Sequence, residues 1–318
     1  MPRLIHTAQA LVDLVCEVPG LPPRGGNVMA AGATRQPGGA AIILVACARS
    51  GGEAVHAGSV GTGPNADLVR SALADEGVRV SSPPVPEEDT GVCIVLLEPS
   101  AERTFVTTWG AERRVTRESL ASSEPRSGDL VCVSGYSLVE PTLTPLLAFL
   151  EALPAGVDVV LDPGAIFADL PAEVVSRVLE LTTVWTSNLD EASAQVGVDE
   201  MQAACARLAE QHPRLRAVVV RDGQNGCAVL EPGSTTTGAA VVPGFPQRAV
   251  DTNGAGDTHT GALLAAVSLG SGWADAARWA NAAAALKVTG RGPTSIPSRA
   301  AVEQLLTAAA DRVSADQR

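Results

Sequence analysis

Short apolar runs, each followed by a stretch with helical spacing, recur along most of this chain. "EAVHAGSV" precedes "NADLVRSALADEG", "DLVCVSG" precedes "TPLLAFLEAL", and "VDVVLD" precedes "AEVVSRVLEL". "TVWTSN" then leads into "LDEASAQVG" and "EMQAACARLAEQH", before another apolar run, "RAVVVRDG". A strand that is apolar throughout is buried on both faces, and a helix between two such strands carries the chain back so that they pair in parallel. The alternation therefore restricts the fold to the α/β class, with a mostly parallel central sheet flanked by helices. At 318 residues the chain fits one large unit, and we expect a single domain over 1–318.

Two stretches break the rhythm and predict a small β-sheet laid over the main one as a lid. Residues of about 10–39 are rich in Gly and Pro, and within about 90–110 the segment "TGVCIVLLEPSAERTFVTTWG" reads as two strands joined by a turn at Pro99 to Glu102. Further on, "CAVLEPG" and "TTTGAAVVP" read as short strands, and the tail is helical and rich in Ala.

A formal net charge of −12 with no block of Lys or Arg gives no electrostatic basis for binding nucleic acid or an anionic membrane. No apolar run reaches the roughly 18 residues of a membrane helix. The six cysteines are scattered through apolar runs without metal-ligand spacing, which points to reduced core thiols and a cytoplasmic protein. Small molecules are the expected partners.

Chemistry concentrates in "QRAVDTNGAGDTHTGALLAA". Gly254, Ala255 and Gly256 let backbone approach a ligand closely, and a helix starting there points its free N–H groups at the same spot, forming an anion hole. An Asp257 carboxylate, with an ordinary pKa of about 4, would repel an anion there. The two fit together if Asp257 takes the proton of a hydroxyl while the N–H groups stabilise a phosphoryl group moving to it. An ordinary Asp N-cap on a glycine-rich turn explains the same residues without chemistry.

The stretch resembles the D-T-x-G-A-G-D signature of the PfkB, or ribokinase-like, carbohydrate kinase family, matched at Asp251, Thr252, Gly254, Ala255, Gly256 and Asp257. The resemblance implies ATP-dependent transfer of the γ-phosphoryl group to a sugar hydroxyl, with Asp257 as base and the N–H groups of Gly254 to Asp257 as the anion hole. "TSNLDEASAQVG" is similar to the family's N-x-x-E motif, so Asn188 and Glu191 are implied to position Mg2+ and the phosphates. Asn188 also suits a helix cap. "VVVRDGQNG" and "WANAAAALKVTGRGPTSIP" are similar to the segments that line the nucleotide, giving Arg221, Gly223 and Asn281 to the ATP side. Loop carbonyls of "KVTGRG", with Asp251 and the backbone near Asn253, are implied to hold a monovalent cation (K+).

At the sugar end the match is weaker. Gly38 and Gly39 in "QPGGAAIILVACARSGG" stand for the family's Gly-Gly pair, but Ile42 stands where an Asn commonly meets substrate hydroxyls. Asp13 matches the early Asp that bonds them, and Gln9 and Ala10 replace the family's early Asn. Trp109, at the tip of the lid, is implied either to close over substrate or to pack in a homodimer through the lid. Ala40 replaces the Lys expected for a sugar phosphate, which favours an unphosphorylated sugar, although Arg24, Arg35 and Arg103 lie in or near the lid segments. A nucleoside kinase of the same fold is the alternative, with few rings for a base in a chain of 3% aromatic residues. A different class is suggested by Gly61, Gly63 and Ala66, which satisfy the G-x-G-x-x-A fingerprint of an NAD-binding oxidoreductase, but no acidic residue ends the next strand.

Overall fold

A computed structural model describes residues 1–100, 102–233 and 238–316, with side chains through 311. The expected strand at "TTTGAAVVP" therefore begins outside the described residues, as does Ala101 in the turn expected at Pro99 to Glu102. In chain order the strands are β1 (Arg3–His6), β2 (Ala10–Glu17), β3 (Gly32–Gly39), β4 (Glu53–His56), β5 (Arg79–Val80), β6 (Val92–Leu97), β7 (Arg103–Thr107), β8 (Leu130–Ser134), β9 (Asp158–Asp162), β10 (Val184–Asn188), β11 (Ala217–Arg221), β12 (Cys227–Leu230) and β13 (Ala240–Val242). The helices are α1 (Ala40–Arg49), α2 (Pro64–Asp75), α3 (Arg117–Ala121), α4 (Leu143–Glu151), α5 (Ala172–Leu181), α6 (Leu189–Val196), α7 (Met201–Gln211), α8 (Ala255–Ser268), α9 (Trp273–Lys287) and α10 (Arg299–Asp316).

The larger sheet has the order β13-β12-β11-β10-β9-β8-β1-β4-β5, parallel from β11 to β5, with β12 and β13 antiparallel at one edge. The apolar runs explain it: Val131, Val133, Leu161, Trp185, Val218 and Val220 face one helical layer, and Leu4, Cys132, Val160, Val184 and Ala217 face the other. Trp185 and Phe167 meet edge to face at 5.8 Å within the first layer. Residues of β2, β3, β6 and β7 form a second, four-stranded sheet in the order β3-β2-β6-β7, in which β2 and β6 are parallel and the outer pairs antiparallel.

Parallel register brings the C-terminal ends of the central strands to one edge: Ser134 pairs with Asp162, and Asn188 with Arg221. That edge is where open α/β sheets bind ligands. α1 and α8 pack closely beside it, because a Cβ on Gly261 would lie 2.2 Å from the Ile43 carbonyl oxygen. Only glycine permits that approach. Among the described residues, no helix is long and apolar enough to cross a membrane. All six cysteines are free thiols.

Candidate active site

Along the strand edge, under the four-stranded sheet, runs a cleft of about 960 Å³. The start of α8 opens into it. Gly254 is the N-cap in the left-handed conformation (φ 72°), a geometry that suits glycine and turns the chain into α8; the Ala255 N–H is taken by the Thr252 carbonyl (3.2 Å), which leaves those of Gly256 and Asp257 at the open helix end. Asn253, Ala255, Gly256 and Asp257 line the cleft. Asp257 sits in the first helical turn. Burial pushes its carboxyl up to about 7, and nearby Asp162 adds to the rise while Arg221 opposes it.

Beneath the glycine loop lies a network spanning three strands and α8. Arg221, at the end of β11, donates to Thr186 Oγ1 (2.9 Å) and Thr260 Oγ1 (2.7 Å), and its Nη2 is 3.6 Å from Asp162 Oδ2. Thr260 in turn donates to Asp162 Oδ2 at 3.1 Å. A Cβ on Gly256 would lie 3.7 Å from Arg221 Nη2, so the guanidinium is held directly behind the anion hole. Two fully buried threonines fix its direction.

Asn188 and Glu191 form a reciprocal capping box at the start of α6. Asn188 Oδ1 accepts from the Glu191 N–H (2.7 Å), and Glu191 Oε2 accepts from the Asn188 N–H (3.0 Å). The cap leaves the Glu191 carboxylate on the cleft wall with Asp162. Burial raises the Glu191 carboxyl, and the charge of Asp162 raises it further. Asn281 also lines the cleft, but its polar atoms are committed: Nδ2 donates to the Val242 and Pro243 carbonyls (3.0 and 3.2 Å), and Oδ1 is 3.1 Å from His259 Nε2. Since Asn281 Nδ2 is the donor to those carbonyls, His259 carries its proton on Nε2. Burial holds that imidazole neutral, down to about 3. Asn281 thus fixes the turn after β13, whose Gly244 and Phe245 face the cleft with Gly223.

At the other end, Asp13 on β2 lines the cleft and is 8% exposed, and burial raises its carboxyl to about 6. Gly38, paired opposite through Leu11 on the neighbouring strand, leaves room for it: a Cβ there would come within 2.4 Å of Asp13 Cγ. Gly39 lines the cleft.

A model of the pfkB family carbohydrate kinases matches residues 1–300. The chain belongs to this family. It is 32% identical over 302 residues to the uncharacterized sugar kinase YegV of Escherichia coli, covering 94% of this chain and 91% of the relative. To the ribokinase of Haemophilus influenzae it is 30% identical over 261 residues, covering 80% and 82%. The structure of Arabidopsis thaliana ribokinase complexed with ribose and ATP superposes with a TM-score of 0.78 at 25% identity, over 96% of this chain and 98% of that one. The fold is ribokinase-like, and the protein is a phosphotransferase acting on a hydroxyl group of a sugar.

Several residues of this pfkB kinase stand elsewhere than on the cleft wall. Gly254 lies behind it, where a Cβ would meet Ile42 Cδ1 at 3.1 Å, so Ile42 both lines the cleft and packs under the N-cap. Trp109 is not brought into the cleft; it is 68% exposed, with the Arg113 guanidinium 5.7 Å from its ring. Asp251 lines a second cavity on the lid side. The dinucleotide fingerprint is overturned. The N–H groups of Asn65 and Ala66 at the start of α2 donate to Asp89 (3.1 and 2.9 Å), so the protein's own carboxylate fills the place of a pyrophosphate.

Sequence reasoning passed over Asp162, Tyr136 and Arg113, which all line the cleft. Asp162 had a signal, a carboxylate at the end of a strand in "VVLDPG". Arg113 had none, because its role depends on the lid's path: it donates to the Tyr136 carbonyl at 2.9 Å.

Proposed function

We propose that this kinase transfers the γ-phosphoryl group of ATP to a hydroxyl of a small unphosphorylated sugar, with Asp257 as general base. The observation that carries this reading is Asp257 itself: a carboxyl tuned to about 7, in the first turn of a helix whose free N–H groups open into the cleft that also holds Asp13. A base with that pKa is half ionised near neutrality, where proton abstraction is most effective. The N–H groups of Gly256 and Asp257 and the Arg221 guanidinium behind them oppose the charge that builds on the moving phosphoryl group. Asp13 orients the sugar by accepting from its hydroxyls, in the room that Gly38 leaves for its carboxyl. ATP lies along Gly223, Gly244 and Phe245, toward the side held by Asn281.

The residues present also fit Mg2+. Glu191 and Asp162 stand together on the cleft wall, where burial and the Asp162 charge raise the Glu191 carboxyl, a cost that a divalent cation relieves. Among the described residues no group of three or more acidic, His or Cys ligands occurs, which suits an ion held mainly by phosphates and water with one or two carboxylates. Bound there, Mg2+ would neutralise the phosphate charge. The monovalent ion (K+) fits poorly, because Arg103 Nη2 already sits 2.5 Å from Asp251 Oδ1.

An unphosphorylated substrate is supported by where the arginines lie. Arg24, Arg35 and Arg103 are not on the cleft wall, Arg103 is committed to Asp251, and Arg113, which is on the wall, donates to the Tyr136 carbonyl (2.9 Å). Six free thiols fit a cytoplasmic enzyme. The exposed apolar residues Phe105, Val106 and Trp109 fit a homodimer formed lid to lid. ATP consumption screened over sugars, sugar acids, sugar phosphates and nucleosides tests the proposal. We expect turnover with an unphosphorylated sugar; turnover confined to sugar phosphates or nucleosides would refute the substrate class.

A further inference from the structure

Asp251 and Asp257 bracket one loop, but Asp251 faces the second cavity, of about 650 Å³, together with Arg103, Asn253 and Gly292. Both oxygens of its carboxylate accept hydrogen bonds. Oδ1 accepts from the Asn253 N–H (2.9 Å) and from Arg103 Nη2 (2.5 Å), and Oδ2 accepts from the Gly292 N–H (3.3 Å). Arg103 Nη1 also donates to Thr252 Oγ1 at 3.2 Å. The pair is well shielded, with the side chains 14% and 11% exposed. The nearby Val288 carbonyl is engaged too, accepting from the N–H groups of Val250 (2.7 Å) and Asp251 (3.1 Å).

A second positive charge lies close to the same loop. Lys287, in the last turn of α9, is 1% exposed, and its Nζ has no hydrogen-bond partner among the described residues. A Cβ on Gly254 would lie 3.7 Å from Lys287 Cε, so the lysine stem runs under the N-cap of the anion hole. Asp251 and Asp257 both attract its charge and Arg103 repels it, while burial lowers the ammonium below its ordinary range. An unpartnered buried ammonium is costly and calls for a role.

We propose that Arg103 and Lys287 are built-in cations, which supply beside Asp251 the positive charge otherwise assigned to a monovalent ion and act as positioning residues for the anion-hole loop. The inference rests on the kinase reading. Of the acceptors that would hold a monovalent ion, the Asp251 carboxylate and the Val288 carbonyl already receive guanidinium and backbone donors, and an added cation would meet two like charges. Since Arg103 belongs to β7, the loop is braced by the small sheet as well as by α9.

The test compares KCl, NaCl and tetramethylammonium chloride at matched ionic strength, using wild type, Arg103→Gln, Lys287→Met and the conservative Lys287→Arg. Wild-type turnover and unfolding midpoint should agree within about twofold and about one degree across the salts, because no site couples to the ion. In tetramethylammonium, Arg103→Gln and Lys287→Met should lose about tenfold or more in turnover. K+ should restore part of it saturably and raise their unfolding midpoints, and Lys287→Arg should keep activity without K+. Saturable K+ activation of wild type, or a K+-induced rise in its midpoint, would overturn the inference, as would full activity of both variants in tetramethylammonium. The midpoints decide even if no sugar is turned over, an outcome that refutes the kinase reading separately.

Discussion

At the scale of single residues, Asp257 and Asp251 show how environment divides labour between two carboxylates of one loop. Burial and the Asp162 charge raise Asp257 to about 7. Burial also works against ionised Asp251, but the N–H groups of Asn253 and Gly292 and the charges of Lys287 and Arg103 outweigh it and hold that carboxyl below its ordinary value. A base must be ionised to act, so kcat/KM for the sugar should fall as pH drops through about 7, approaching tenfold per unit on the acid side. A profile flat between about pH 8 and 5 would contradict Asp257 as the base. The same shift has a stability cost. Between the ordinary value near 4 and the native value near 7 the folded state binds the proton more tightly, so this group's contribution to stability falls as pH rises through that window. Asp257→Asn removes the cost. Its unfolding midpoint should exceed that of wild type at about pH 8, with the gap closing toward about pH 4; a lower midpoint at the higher pH would contradict the assigned burial.

At the scale of elements, the α6 cap separates structure from chemistry. Glu191→Gln keeps an acceptor for the Asn188 N–H, so the unfolding midpoint should stay near wild type, while the loss of charge should raise the Mg2+ concentration for half-maximal rate. An unchanged Mg2+ titration would count against Glu191 as a metal-side residue. Packing of α1 on α8 gives a second test: Gly261→Ala drives a Cβ toward the Ile43 carbonyl and should cost about 1–3 kcal/mol in denaturant unfolding, more than the helix propensity it gains. Much of this level was legible in the sequence. β8, β9, β10 and β11 announce themselves because strands buried on both faces are apolar throughout, and the reciprocal Asn188 and Glu191 cap follows from local spacing. Gly61 and Gly63 match the fingerprint without its site for a physical reason: glycine spacing records a tight turn before α2 but not what fills the helix end, and Asp89 arrives from 23 residues beyond Ala66. Arg103 and Lys287 were equally hidden, because a lone cation gains meaning only when the fold carries it 148 residues to Asp251 or buries it under Gly254.

At the scale of the whole molecule, a parallel sheet gathers Asp162, Asn188 and Arg221 at one edge, α8 delivers Asp257 there, and the small sheet lays Asp13 over the opposite end of the cleft. Strand ends and helix caps follow local sequence rules, and for that reason Asn188, Glu191, Arg221 and Asp257 were legible as residues that meet at one edge. The placement of the lid depends on how two separated segments pair as β2, β3, β6 and β7, so the sequence left Trp109 either closing over the cleft or packing in a homodimer, and it stands outside the cleft. That exposed side of the small sheet predicts self-association: wild type should sediment as a dimer, and Phe105→Glu with Trp109→Glu as a monomer. A monomeric wild type would contradict the lid-to-lid pairing. The central claim is that Asp257 removes the proton from a sugar hydroxyl as the phosphoryl group moves. Single-turnover phosphorylation by Asp257→Asn, measured with ATP affinity determined in parallel, tests it most directly. We predict turnover lower by about 10²–10⁴ with ATP binding retained, whereas a variant that phosphorylates the sugar at near wild-type rate would contradict the account.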